Sequence, residues 1–414
     1  MLHSSLALAP AIEISQPKPT QLPKYDSLDE LLKLRDRLRM QLDNPDSVAP
    51  QPGDPVTSNR TERLQLLQAV EIRIQIEETA KELWANAIRA ASEATSLQKT
   101  PDPSVAATET VYQRWQQAVD ALHEIPAQSL LAADAPAKIE EYQPLLEAAS
   151  HRYDTARSGY LGDIARRTGL PAEDVHITVC HIEGECRRWN GDVLAASPAS
   201  LIKVPVAIAL MQKVTEQNIS LETKVLVSPG NYTEDASDIW TGTEYPLRRL
   251  LMRMINQSSN IATNQLIDYV GRDYINQVMR DRGFKNTFVD YKLVGESTYP
   301  ANAGSIPNTI TTDDLTRMVS QIFRLEHPGD DVLIDALASQ YDTVLGYDGL
   351  RNTRGLWLGE KTGQNSKALG TTYAFKLDGE VYISSIILDY SASEAAMRQC
   401  VSDIAKHIMQ TGSL

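Results

Sequence analysis

The chain has 414 residues, 42% of them hydrophobic and 23% charged, which is ordinary globular material and enough for two or more domains with cores of their own. Its formal net charge of −14, with no basic stripe to offset it, excludes a nucleic-acid partner and a polybasic membrane-surface patch. No stretch is long and apolar enough to span a bilayer; the best run covers residues 204–211.

Residues 1–26 carry Pro10, Pro17, Pro19 and Pro23 with few large apolar groups, and read as a disordered leader. Ala7-Leu8-Ala9 has the small-x-small pattern that can end an export signal. No lysine or arginine precedes its short apolar stretch, so the leader does not read as a complete signal peptide. Ser27 and Glu30 are spaced as a capping box, and Leu28, Leu31, Leu32, Leu38 and Leu42 follow helical spacing up to Asn44-Pro45-Asp46. After a Pro/Gly-rich loop, residues 61–96 contain neither glycine nor proline. Leu67, Val70, Ile74, Leu83, Trp84, Ala87 and Ile88 line one helix face there. Val70, Ile72, Ile74 and Ile76 alternate as a strand would, but the uninterrupted length and the Glu/Gln/Arg/Ala background decide for helix. Pro101 and Pro103 break the pattern, and two more helices are predicted around 106–124 and 137–167. Residues 27–150 therefore read as a helical bundle or hairpin. Such helices are candidates for self-association.

The texture changes after Gly169-Leu170-Pro171. Residues 175–182 and 186–190 read as two strands, helices dominate 199–282, and 371–377 with 381–388 form a second strand pair around Asp378-Gly379. A last helix covers about 394–409, capped by Ser391 or Ser393. Strands at both ends with helices between predict an α+β unit over 151–414, with one antiparallel sheet closed by its two termini. Of the three cysteines, Cys180 and Cys186 flank the first turn. They can pair across two strands in an oxidising compartment or stay as two small buried thiols, and the thiols are the favoured reading. None of the seven histidines falls in a metal-ligand spacing, so no metal and no cofactor is predicted.

Three short motifs carry chemistry. Ser200-Leu201-Ile202-Lys203 opens an apolar helix, so that hydroxyl and amine lie on one face a turn apart. A serine hydroxyl needs a base beside it, and a buried lysine, whose ammonium form is disfavoured, can be that base. The plain alternative is a helix cap with a solvated lysine, but an apolar run is a poor place for one. Ser258-Ser259-Asn260 offers a second hydroxyl for proton relay and an amide for a substrate carbonyl. Lys361-Thr362-Gly363, on an edge-like strand, can bind a carboxylate, and its glycine lets substrate backbone lie flat.

S-x-x-K, S-x-N and K-T-G in that order resemble the β-lactamases and penicillin-binding proteins, class A enzymes above all, over roughly 150–414. Asn264, the segment Leu247-Arg248-Arg249-Leu250-Leu251 and Gly370-Thr371-Thr372 fit the same pattern. The resemblance implies an antiparallel sheet flanked by helices, with an all-helical part beside it. It implies that Ser200 is acylated by a β-lactam or a D-Ala-D-Ala-like peptidoglycan amide. Lys203 would act as base and Ser258 as proton relay. Asn260 would bind the substrate amide, and Lys361, Thr362 and Gly363 its carboxylate and backbone. The N–H groups of Ser200 and Gln364 would form the oxyanion hole. It also implies a periplasmic or otherwise extracytoplasmic place, where cell-wall substrates lie.

Two departures concern the second half of the reaction. The family's deacylating glutamate stands four residues before an asparagine. Here Asn302 is the candidate asparagine, Thr298 stands four before it, and Glu296, the one acid nearby, is out of register by two. Ser259 replaces the usual aspartate between Ser258 and Asn260. Both leave acylation intact and predict slow deacylation. Trp240, in the loop before the second motif, is a candidate aromatic wall or a packing residue. Two other readings stand beside a β-lactamase: a D-alanyl-D-alanine carboxypeptidase, and a non-catalytic binding module served by its helical N-terminus.

Overall fold

The computed structural model describes residue 22 and residues 24–43, 60–99 and 104–414. The leader up to residue 21, the Pro/Gly-rich loop and the Pro101–Pro103 break lie outside the described residues. The chain divides into two compact units, Met1–Tyr153 and Asp154–Leu414.

The first unit is helical: α1 (Leu28–Asp43), α2 (Arg60–Leu97), α3 (Val105–His123) and most of α4 (Ala135–Ala156). The start of α1 uses the expected residues. The Glu30 N–H donates to Ser27 Oγ at 3.3 Å, and Asp26 N–H donates to the Glu30 carboxylate at 2.8 Å. Leu31, Leu34 and Leu38 bury against Leu66, Val70 and Ile74 of α2. Farther along α2, Ala80, Ala87, Ala91 and Ala94 pack with Val111, Trp115 and Leu122 of α3 and Tyr142 and Leu146 of α4. Ile72 is 62% exposed while Val70 and Ile74 are buried, so the helical period overrides the local alternation. Ile88, expected on the buried face, is exposed.

In the second unit α5 (Gly159–Arg167) precedes β1 (Val175–His181) and β2 (Cys186–Trp189). The single helix expected over 137–167 is therefore two. Ser158 ends the first by donating to the Asp154 carbonyl at 2.6 Å, and its oxygen accepts the Arg188 N–H at 2.7 Å. The break lets α5 lie close on the sheet: a Cβ on Gly162 would meet the Trp189 ring at 2.7 Å. The middle holds α6 (Lys203–Glu216), β3 (Lys224–Leu226), β4 (Glu244–Pro246), α7 (Leu247–Asn256), α8 (Asn260–Val270), α9 (Arg272–Asp281), α10 (Thr312–Phe323), α11 (Asp330–Ala338) and α12 (Gly346–Leu350). The chain ends with β5 (Leu356–Gln364), β6 (Ala368–Leu377), β7 (Glu380–Asp389) and α13 (Glu394–Thr411). Ser393 caps α13, accepting from the Ala396 N–H at 3.2 Å.

The main sheet is antiparallel in the order β2-β1-β7-β6-β5, so strands from both ends of the unit meet at the β1–β7 pair. Its two faces serve two cores. Ile383 and Ile387 of β7 face a cluster with α6 to α11, while Ile386 and Leu388 join α5 and α13. Cys180 and Cys186 are register partners and the structure joins them as a disulfide, where two thiols were expected. The antiparallel pairing sets the two sulfurs on the same side of the ladder.

Candidate active site

Ser200 stands where the chain turns from the sheet edge into the helical core. It lies on a 3-10 turn, Ala199–Ile202, and the α-helix begins only at Lys203, one residue group later than the sequence pattern suggested. The turn opens at Ala199, which adopts φ +46°, a strained value for a residue with a side chain. Leu201 and Ile202 anchor the turn in the core, and every residue of α6 from Lys203 to Met211 is buried.

Lys203 is fully buried and joins the motifs. Its Nζ reaches Ser200 Oγ at 2.9 Å, Ser258 Oγ at 3.0 Å, the Ser258 carbonyl at 2.5 Å and Asn260 Oδ1 at 2.8 Å. Ser258 sits at φ +57° just before α8, and this left-handed turn brings both its carbonyl and its hydroxyl to the lysine. From the other side Lys361 of β5, also fully buried, donates to Ser258 Oγ at 3.1 Å and to the Thr362 carbonyl at 2.5 Å. The Ser258 hydroxyl thus lies between two amines.

Those amines differ. Burial holds the Lys203 amine well below the ordinary range; the nearby Lys361 charge adds to this and Asp235 opposes it. Burial brings Lys361 down to about 7, with Asp342 and Glu360 pulling upward. Burial thus favours the free amine at Lys203, and near pH 7 Lys361 is poised between its two forms. Glu360 accepts from Thr371 Oγ1 at 2.6 Å and from the N–H groups of Gly346 and Tyr347, yet its burial raises the carboxyl to about 7.

β5 is the edge strand of the sheet, as the K-T-G motif suggested, and it runs close to the serine. A Cβ on Gly363 would meet the backbone nitrogens of Ser200 at 2.8 Å and Leu201 at 2.9 Å. The absence of a side chain there lets the strand pass close to the Ser200 turn; Gln364, the next residue, ends β5 and is exposed. Thr362 Oγ1 donates to Asp342 at 2.8 Å.

Ser200, Lys203, Ser258, Asn260, Lys361, Thr362 and Gly363 are thus one cluster. Among the described residues, no hydrogen bond joins Glu296, Asn302 or Trp240 to this cluster. Glu296 is exposed, and among the described residues it makes no hydrogen bond to the cluster. Asn302 is exposed too, and its carbonyl accepts from Arg272 at 2.5 Å. Trp240 is 66% exposed, its backbone N–H donating to Tyr245 Oη at 3.1 Å. At Thr298 a carboxylate does arrive, from another loop: Glu234 accepts from Thr298 Oγ1 and from Ser297 Oγ at 2.7 Å. The buried Lys292 pins the base of this loop through Asp268 at 2.8 Å, Asn231 at 2.7 Å and the Ala301 carbonyl at 2.9 Å. Asn264 holds Leu293 by both its N–H and its carbonyl, at 2.7 and 2.9 Å.

Sequence reasoning missed Asp235, Asp342, Glu234 and Lys292. The one available signal was the concentration of acids at Glu234, Asp235 and Asp238 ahead of an S-x-N motif lacking its own. Among the described residues no three His, Cys, Asp or Glu side chains gather where they could hold a metal, and no helix is long and apolar enough to cross a membrane.

The profile of the Beta-lactamase enzyme family matches residues 174–411, more than half of the chain and the whole of the region that builds this cluster. The chain belongs to that family. No curated protein sequence matches it. Solved structures share the fold of this β-lactamase-family unit. PBP-A is 20% identical, with a TM-score of 0.53 over 61% of this chain and 97% of its own. A β-lactamase from Sphaerobacter thermophilus DSM 20745 is 23% identical, with a TM-score of 0.52 over 62% and 97%. A PBP-A variant solved as an acyl-enzyme complex with penicillin G is 20% identical, with a TM-score of 0.53 over 61% and 97%.

Proposed function

We propose that this serine hydrolase is acylated at Ser200 by β-lactams and by D-Ala-D-Ala-like amides, and that it releases the acyl group slowly. The observation that carries the reading is the buried Lys203 amine, 2.9 Å from Ser200 Oγ and 3.0 Å from Ser258 Oγ. Neutral Lys203 takes the Ser200 proton as Oγ bonds to the substrate carbonyl carbon. The oxyanion formed is held by the N–H groups of Ser200 and Gln364, each such donor being worth about 3 kcal/mol in comparable sites. The proton returns through the Ser258 hydroxyl to the leaving nitrogen, the C–N bond breaks, and an ester remains on Ser200. Lys361 and Thr362 hold the substrate carboxylate, and Asn260 its amide.

Hydrolysis of that ester needs a base for water. Glu296 points to solvent, and Thr298 is held by Glu234 in the place where related enzymes carry their acid. Slow release follows. The Cys180–Cys186 disulfide supports an oxidising, extracytoplasmic location.

Incubation with penicillin G, followed by intact-mass and peptide analysis, tests the reading. One equivalent of penicillin is expected on Ser200, outlasting many turnovers of an efficient β-lactamase, and Ser200→Ala is expected to take none. A chain that acquires no adduct and hydrolyses no β-lactam would overturn the proposal. Rapid steady hydrolysis of a chromogenic cephalosporin would overturn its second half alone.

A further inference from the structure

The S-x-N segment meets Lys203 with alternate residues. Ser258 and Asn260 turn toward the amine, while Ser259 turns away and is fully buried. The groups on the far side are gripped by one carboxylate. Asp235 Oδ2 accepts the Ser259 hydroxyl at 2.5 Å and the Ile261 N–H at 2.9 Å, on either side of Asn260. Its other oxygen accepts the Ser237 N–H at 3.0 Å, and Ser237 Oγ donates back to Ser259 Oγ at 2.9 Å. Ser259 Oγ in turn caps α8, accepting the Ala262 N–H at 3.1 Å. Ser258, at φ +57°, holds a backbone conformation that its surroundings must enforce.

We propose that Asp235 is the positioning residue of this segment: its carboxylate fixes Ser259 and Ile261, and through them sets the Ser258 hydroxyl between Lys203 and Lys361. Asp235 touches no substrate. It supplies from the preceding loop the carboxylate that position 259 lacks. Its charge also favours the ammonium form of Lys203, against burial and the facing Lys361. Removing that charge moves the deprotonation of Lys203 to lower pH. The proposal rests on the acylation reading above.

The test is the rate of acylation of the full chain by penicillin G between pH 5 and 9. Asp235→Asn keeps an acceptor for Ser259 and Ile261 and drops the charge. It is expected within about fivefold of the parent, its acidic limb displaced to lower pH. Asp235→Ala releases the grip and is expected to acylate about 100-fold more slowly, the scale of a misplaced catalytic group. Adding Ser259→Asp to Asp235→Ala returns a carboxylate to the start of α8, where an aspartate caps well, and is expected to recover at least about tenfold. An Asp235→Ala chain acylating within about threefold of the parent, or a folded double variant that recovers nothing, would overturn the proposal. A parent chain that takes no penicillin and hydrolyses none would sink the acylation reading instead. Hydrogen exchange at the Ile261 amide then decides on the grip: faster exchange in Asp235→Ala supports it and unchanged exchange refutes it.

Discussion

Two buried lysines share one serine hydroxyl, and their environments divide the labour. Burial, with the facing Lys361 charge adding to it, favours the free amine at Lys203, while Lys361, lowered by burial but with Asp342 and Glu360 opposing, titrates at about 7. The sign for Lys361 follows from its charge. Below about 7 it is a cation able to hold a carboxylate, and above that value the cation is lost. Acylation by penicillin G is therefore expected to fall above pH 7 by up to about tenfold per unit relative to its methyl ester, which has no carboxylate to hold. Stopped-flow or quenched mass measurement of both compounds checks the ratio; a ratio flat from pH 6 to 9 would show that Lys361 does not bind the carboxylate. Gly363 carries a second residue-scale expectation. A methyl there would press on the Ser200 and Leu201 nitrogens at 2.8 and 2.9 Å, and backbone cannot swing aside as a side chain can. Gly363→Ala should leave the chain folded and slow acylation about 100-fold or more, the cost of losing an oxyanion donor. At this scale the sequence was legible where chemistry is written in short spacings: Ser200 with Lys203, Ser258 with Asn260, Lys361 with Thr362. Asp235 and Asp342 escaped because they come from loops 20 or more residues away in the chain, and no spacing rule announces a carboxylate that folds back.

Elements were legible where composition is one-sided. The 38-residue α2 has no glycine or proline, and the β6–β7 hairpin turns at Asp378 and Gly379, at φ +51° and +99°. The break after α4 was hidden, because Ser158 and Gly159 are mild helix breakers and become decisive only when Arg188 of β2 binds the Ser158 oxygen. The loop after α9 shows the same dependence on distant partners. Lys292 is 1% exposed at its side chain and ties Asp268 to the Ala301 carbonyl across the loop's base. Glu234 holds the loop's tip through Ser297 and Thr298. Its carboxyl is lowered to about 2 by those hydrogen bonds, so the clamp is complete above the ordinary carboxylate range and is lost as pH falls toward 2. Lys292→Ala leaves the buried Asn231 oxygen and the Ala301 carbonyl without their donor and opens a cavity where the lysine stem lay, while Asp268 stays partly exposed. A loss of about 3 kcal/mol is expected in chemical denaturation, with faster proteolysis of the loop. Equal stability and equal cleavage would show the lysine to be dispensable.

At the scale of the whole molecule, sequence distance and packing part company. The sheet is closed by strands that begin and end the second unit, so Val175 pairs with Leu388. That pairing could be anticipated from strands at both ends of a helical stretch, although the order β2-β1-β7-β6-β5 could not be read from residues alone. The two units bury separate clusters: Trp115 with Tyr142 and the α2 alanines in the first, and Ile208, Leu250 and Leu315 among the core of the second. Separate cores predict separate unfolding transitions, and substitutions can assign them. Trp115 is 2% exposed and meets the Tyr142 ring edge-on at 5.3 Å, so Trp115→Ala is expected to cost about 3–5 kcal/mol in its own unit. Lys292→Ala, costing about 3 kcal/mol, should lower the melting of a unit this size by about 6–12 °C. Scanning calorimetry of the full chain is expected to show two transitions, with Trp115→Ala moving one and Lys292→Ala the other. If either substitution moved both by the same amount, the cores would be unfolding as a single cooperative body. The helical unit would then contribute directly to the stability of the serine–lysine cluster.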